Sequence, residues 1–179
     1  MDDNEFQIIY IIGAGRSGTT LLDITLGSNS NIFSAGELNR FSERSGIPNE
    51  SRDKEVESFW GKVLLLTKSF FPTIQNISRK LEYHSGILNQ FFVKQKDVDV
   101  YNSFNTELFR AIHKSANEPD IIIDSGKYPM RARRLSKIFN KQISFIYIQR
   151  TPISVVESFQ KKSVEQPPKS RMQANLYLL

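Results

Sequence analysis

A chain of 179 residues, 39% hydrophobic and 24% charged, is one domain's worth of polypeptide and is long enough to fold around its own core. It has no cysteine, which excludes a disulfide framework, thiolate metal sites and a Cys nucleophile. The net charge of +5 is uneven, because residues 124–171 hold 11 Lys/Arg against 3 Asp/Glu while the remainder holds 13 against 16. Such a basic stretch suits nucleic acid, a membrane surface or a small polyanion, and composition does not choose among them.

The acidic start, Met1-Asp2-Asp3-Asn4-Glu5, runs directly into an apolar segment and does not read as a signal peptide. No apolar run approaches the ~20 residues that span a bilayer, so the expectation is a soluble, cytoplasmic protein. Phe6–Ile12 (FQIIYII) is apolar and β-branched and ends at glycine, as a buried parallel strand does. Thr19 to about Gly27 reads as a short helix, and Asn31–Ala35 as a short second strand. Residues 42–53 are polar and rich in Ser, Gly, Pro and Asn, the composition of a loop. Helices are predicted over roughly 54–69, 72–92 and 99–117, the last with Phe104, Leu108, Ile112 and Ala116 at core-facing spacing.

Ile121–Asp124 is the third predicted strand, followed by a helix near 129–139. Ile143–Gln149 reads as another buried strand, and a helix follows from about Pro152 to Lys162 with Thr151 as its N-cap. Gln166-Pro167-Pro168-Lys169 breaks that pattern as a turn or linker. The alternation predicts an α/β fold of P-loop type: a mostly parallel sheet flanked by helices, with a helical insertion at about 54–117. A single domain over 1–179 is expected.

Gly13-Ala14-Gly15-Arg16-Ser17-Gly18-Thr19-Thr20 joins the first strand to the first helix. Glycines let the backbone wrap an anion, and a helix N-terminus aims N–H groups at it. The frame is close to a Walker A loop, but Thr19 stands where a nucleoside triphosphatase needs Lys, and the cation is Arg16 instead. The plainer alternative is a glycine turn that only connects two elements. At the carboxyl end of the Ile143–Gln149 strand stands Arg150, with Ser158 eight residues further on. Ligands of open α/β sheets bind outside the strands' carboxyl ends, so Arg150 and the glycine loop would share one crevice. Taken alone, each has an ordinary reading, a surface ion pair for Arg150 and a solvent-facing helix hydroxyl for Ser158.

Together, GAGRSGTTLL (13–22) and QRTPISVVES (149–158) resemble the sulfotransferases that use PAPS, 3′-phosphoadenosine 5′-phosphosulfate, particularly the carbohydrate and tyrosylprotein branch. The resemblance covers about residues 6–41 and 120–160. It implies that Gly15, Arg16, Ser17, Gly18, Thr19 and Thr20 hold the 5′-phosphosulfate, and that Arg150 and Ser158 hold the 3′-phosphate. It implies PAPS as donor with no metal, and an acceptor that is a small molecule, a glycan or a protein. Neither nucleic acid nor a membrane is expected as partner. A P-loop nucleotide kinase is the competing enzyme reading, and a non-catalytic nucleotide-binding remnant the competing binding-protein reading.

Glu37, after the second strand, matches the branch's catalytic base; the alternative is a surface Glu paired with Arg40. Lys127, in Asp124-Ser125-Gly126-Lys127, matches a lysine that approaches the sulfuryl group, where it would act with Arg16 on the leaving group's charge. A solvated loop lysine is the alternative. Arg131, Arg133 and Arg134 read as a solvated helix face, the alternative being that Arg131 and Arg134, at i,i+3, meet an anionic acceptor or the cofactor; Asp124 reads as a false match to a Walker B aspartate. His84 and His113 are lone histidines without partners for metal or triad chemistry. Family domains continue past the Arg…Ser helix with a segment that closes over the adenosine. Against them this chain, ending Asn175–Leu179, is expected to be truncated or diverged at its C-terminal end, with catalysis the property most affected.

Overall fold

The computed structural model of the protein describes residues 5–44, 46, 53–71, 73–82 and 93–160. Its framework is a four-stranded, all-parallel sheet in the order β2-β3-β1-β4. The strands are β1 (Gln7–Gly13), β2 (Ile32–Ser34), β3 (Ile121–Lys127) and β4 (Ile143–Ile148). Parallel neighbours require crossovers, and helices supply them. Helix α1 (Thr19–Leu26) links β1 to β2. The passage from β2 to β3 runs through α2 (Asn39–Glu43), α3 (Lys54–Thr67), α4 (Thr73–Glu82) and α5 (Gln95–Ser115). Helix α6 (Pro129–Phe139) links β3 to β4, and α7 (Pro152–Gln160) follows β4. The α/β architecture and the helical insertion after residue 54 are as the sequence predicts.

β1 is central because it is apolar on both faces. Ile8 and Tyr10 join the main core with Ile122 of β3, Phe41 of α2 and the insertion's Trp60, Leu81, Phe104, Leu108 and Ile112. The other face of β3 turns toward α1, where the Ser125 hydroxyl donates to Asp23. Alternation along β3 therefore sends Ile122 and Asp124 to the insertion and Ser125 to the glycine-loop helix.

The individual elements refine the sequence reading in several places. α5 begins at Gln95, earlier than the predicted 99, while residues 83–92, with His84, lie outside the described set. The tail beyond Gln160, including 166–169, also lies outside it. His113 is buried with its ring 4.9 Å from that of Phe6, as a core histidine. Asp53 caps α3 by accepting the Glu55 N–H at 2.8 Å, and Thr151 accepts the Ser154 N–H at the start of α7.

Two expectations are overturned. β4 is not a buried strand: it pairs only with β1 among the described residues and leaves Phe145 and Tyr147 exposed. Arg131 is not on a solvated face but is among the most completely buried side chains described, at 1% exposure. Helical spacing puts it on the same face as Leu135, and that face packs against the core. Of the other two, Arg133 is exposed on α6 and Arg134 is half-buried.

Candidate active site

The carboxyl ends of β1, β2, β3 and β4 converge on one edge of the sheet. At that edge β1 hands over to the glycine loop. Gly18 adopts φ +99°, a conformation open to glycine, and no described side chain caps α1. The first N–H groups of α1 are thus left to the loop, the arrangement that binds oxyanions. The Ser17 hydroxyl donates to the Ala14 carbonyl, which folds the loop on itself, and Thr19 is buried behind it.

Arg16 lies at the centre of the surrounding contacts. Its guanidinium carbon stands 5.8 Å from the Phe159 ring centroid, and its carbonyl accepts a 2.9 Å hydrogen bond from Arg150 Nη1. These two contacts bring the start of α7 and the residue next to Ser158 against the glycine loop. Arg16 itself has φ +66°, and Lys127 has φ +69°. A non-glycine residue held there costs of order 1–3 kcal/mol, and such strain concentrates at functional sites. The other described cases, Asn117, Glu118 and Asn140, fall where α5 and α6 end.

Lys127 reaches this position through a bulge. β1 and β3 pair Tyr10 with Asp124 and then Ile12 with Lys127, so β3 carries one extra residue in between. A bulge re-aims the side chains beyond it. Here it turns Lys127 across to Glu37, whose Oε1 forms an ion pair with Lys127 Nζ. The second oxygen of Glu37 pairs with Arg40 Nε at 2.7 Å. Glu37 is thus both the Arg40-paired glutamate of the plain reading and the Lys127-paired glutamate of a site. The two side chains are about one-fifth exposed, at 20% and 21%.

Behind them lies Asp23, which the sequence reading did not single out. It is the one acid in an otherwise apolar and hydroxyl helix, TTLLDITL, and that isolation was the available signal. Its carboxylate accepts from Ser34 at 2.6 Å and from Ser125 at 2.7 Å, tying α1 to the ends of β2 and β3. Burial pushes its carboxyl above the ordinary 3.8, against the pull of those two hydroxyls. The folded chain therefore binds more protons here than the unfolded chain between 3.8 and the raised value. That contribution to stability is present in acid and is lost as pH rises through the folded pKa. Asp23→Asn abolishes the slope. Urea midpoints of the two proteins from about pH 7 down to about pH 4 are expected to move apart, the wild type gaining on the variant; a pH-independent difference contradicts this.

Asp124 is no metal-loop aspartate in this geometry, because its carboxylate is consumed by buried contacts. Oδ1 accepts the N–H groups of Gly126 at 2.9 Å and Leu38 at 3.3 Å, and Oδ2 accepts Arg131 Nε at 2.9 Å. Arg131 Nη1 continues to Glu82 Oε1 at 2.5 Å, Asn105 Oδ1 at 3.0 Å and Tyr101 Oη at 3.3 Å. No sequence signal joined these residues, since they come from α4, α5, β3 and α6.

The parallel α/β sheet thus carries a glycine loop after its first strand, cations at three strand ends and a carboxylate beside one of them. The family model described as "Sulfotransferase family" matches residues 8–176, and the chain belongs to that family. No curated protein and no solved structure matches it. Among the described residues no helix is long and apolar enough to cross a membrane.

Proposed function

We propose that this protein transfers a sulfuryl group from PAPS to a hydroxyl or amine acceptor, a small molecule, glycan or protein, in the manner of the carbohydrate and tyrosylprotein branch. The observation that carries the reading is the meeting of Glu37 and Lys127, delivered by different strand ends, beside a glycine loop whose cation is Arg16. In this reading the N–H groups of Gly15–Thr20, Ser17 and Thr19 among them, the Thr20 hydroxyl and the Arg16 guanidinium hold the 5′-phosphosulfate. Arg150 and Ser158 hold the 3′-phosphate. The residues fit such a donor in charge and number.

Glu37 accepts the acceptor's proton as the acceptor oxygen or nitrogen bonds to sulfur and the bond from sulfur to the phosphate oxygen breaks. Lys127 and Arg16 stabilise the negative charge gathering on that departing oxygen. The ion pair gives the two roles an order. Lys127 leaves Glu37 for the donor's oxyanion, and Oε1 of Glu37 is thereby released to take a proton, while Arg40 keeps its hold on Oε2.

The test is binding. 3′,5′-Adenosine bisphosphate at about 100 times its Kd is expected to add about 2.7 kcal/mol, roughly 5–10 °C in Tm, without magnesium. Arg150→Ala is expected to abolish most of that shift while sparing the smaller one given by a ligand without the 3′-phosphate. A shift with Mg-ATP and none with the bisphosphate rejects the donor assignment in favour of phosphoryl transfer. A normal bisphosphate shift without sulfuryl transfer to any acceptor leaves a nucleotide-binding protein and rejects the enzyme.

A further inference from the structure

The glycine loop, Glu37 and Lys127 account for one side of β3. The other side carries Asp124, Arg131, Glu82, Tyr101 and Asn105, all buried and linked to one another. As a source of stability the cluster is poorly made. Among the described residues Arg131 is the single cation between two buried carboxylates, and Glu82 Oε2 and Arg131 Nη2 find no hydrogen-bond partner there. Apolar side chains of similar volume commonly serve stability as well or better.

What the cluster holds is more specific. One oxygen, Asp124 Oδ1, accepts the N–H of Leu38, which follows Glu37, and the N–H of Gly126, which precedes Lys127. The Ser125 N–H also donates to the Gly36 carbonyl at 2.9 Å, so the Glu37 loop is pinned on both sides of Glu37 and the other loop on the two residues that lead into Lys127. The space is closed: a Cβ at Gly126 would stand 2.9 Å from Asp124 Oδ1, 2.9 Å from Tyr10 Oη and 3.3 Å from Asn39 Oδ1. Oδ2 of the same carboxylate is fixed by Arg131, whose far end is gripped by α4 and α5.

We propose that Asp124 is a positioning residue that fixes Glu37 and Lys127 relative to each other, and that Arg131 ties this clamp to helices α4 and α5 of the insertion. The first half rests on the sulfuryl-transfer reading for its catalytic meaning, while the clamp itself is a property of the fold. A displacement of about 1 Å between a base and its reacting atom costs about 10²-fold in rate, which is the effect at stake.

Three variants test it. Asp124→Ala removes both acceptors. Asp124→Asn keeps an oxygen for the Leu38 and Gly126 N–H groups but sets an amide NH2 against the Arg131 Nε–H, so both the charge and the hydrogen bond to Arg131 are lost. Gly126→Ala keeps every charge and wedges the clamp open. Amide hydrogen exchange at Leu38 and Gly126, thermal melting, bisphosphate binding and kcat are measured on each. The clamp predicts that Asp124→Ala and Gly126→Ala lose protection at those two amides while β1 amides keep theirs. It predicts kcat down about 10²-fold with bisphosphate affinity retained. Asp124→Asn is expected to melt early, as Asp124→Ala does, yet to keep both amide protection and most of kcat. A purely structural Asp124 makes kcat follow Tm, so an Asp124→Asn protein as inactive as Asp124→Ala overturns the proposal. Wild-type kcat in Gly126→Ala also overturns it, whether or not Asp124→Ala folds. If the wild-type chain transfers no sulfuryl group, the sulfuryl-transfer reading fails, and exchange at Leu38 and Gly126 alone decides the clamp.

Discussion

Glu37→Gln is expected to reduce sulfuryl transfer by about 10²–10⁴-fold while leaving 3′,5′-adenosine bisphosphate binding unchanged, the range that a positioned general base contributes. The substitution is close to isosteric, so the loop between β2 and α2 keeps its shape and Arg40 keeps an acceptor. What is lost is the proton acceptor. A second consequence separates this role from a structural one. In the wild type Lys127 must leave an ion pair with Glu37 before it meets the donor, and a neutral Gln no longer restrains it. The donor's KM should therefore hold or fall while kcat collapses, a split that misfolding does not produce. Turnover within a few-fold of wild type removes Glu37 as the base and leaves its contacts to Arg40 and Lys127 as a plain surface network.

The positions of Glu37 and Lys127 were legible in the sequence for different reasons from their contact. The glycine loop announces itself because glycines, hydroxyls and a helix start stand in consecutive positions between an apolar strand and a helix. Arg150 is legible as the residue at which an apolar strand ends. The ion pair is not, because it depends on the bulge that lengthens β3 by one residue and turns Lys127 back toward β2. Nothing in Asp-Ser-Gly-Lys marks a bulge rather than a strand followed by a turn. The Gly126 contacts to Asp124, Tyr10 and Asn39 explain it only once the neighbours are known.

β4 misleads in the opposite direction. ISFIYI is apolar enough for a strand covered on both faces, yet at the described sheet's edge Phe145 and Tyr147 stay exposed at 42% and 68%. Hydrophobicity reports what a strand tolerates, and position in the sheet decides what covers it. Arg131 misleads through charge. Three arginines in four residues read as a solvated face, and helical geometry sends one of them inward to the carboxylates of Asp124 and Glu82. The partners come from elements far apart in sequence, where periodicity carries no information.

That inward arginine makes the largest stability prediction. Arg131→Met keeps the apolar stem of the side chain and deletes the only cation among the described residues that pairs with Asp124 and Glu82, both about 1% exposed or less. Breaking a buried pair in this way costs about 3–5 kcal/mol, because the remaining charges stay desolvated. The loss should depend on pH. Burial already raises the carboxyls of Asp124 and Glu82 above their ordinary 3.8 and 4.5, with Arg131 opposing the rise. Without Arg131 both go higher, so the stability of the folded variant is greatest in acid and is lost as pH rises through those raised values. The deficit against wild type is therefore expected to be largest near neutral pH and to shrink toward about pH 4, as read by urea midpoints. Adding Glu82→Met to Arg131→Met leaves one uncompensated carboxylate in place of two. The double variant should recover part of the loss, and the two substitutions should be strongly non-additive. A deficit below about 1 kcal/mol that is flat in pH belongs to a solvated ion pair. That result would return Arg131 to the helix surface and take with it the link between the insertion and the Glu37–Lys127 loops.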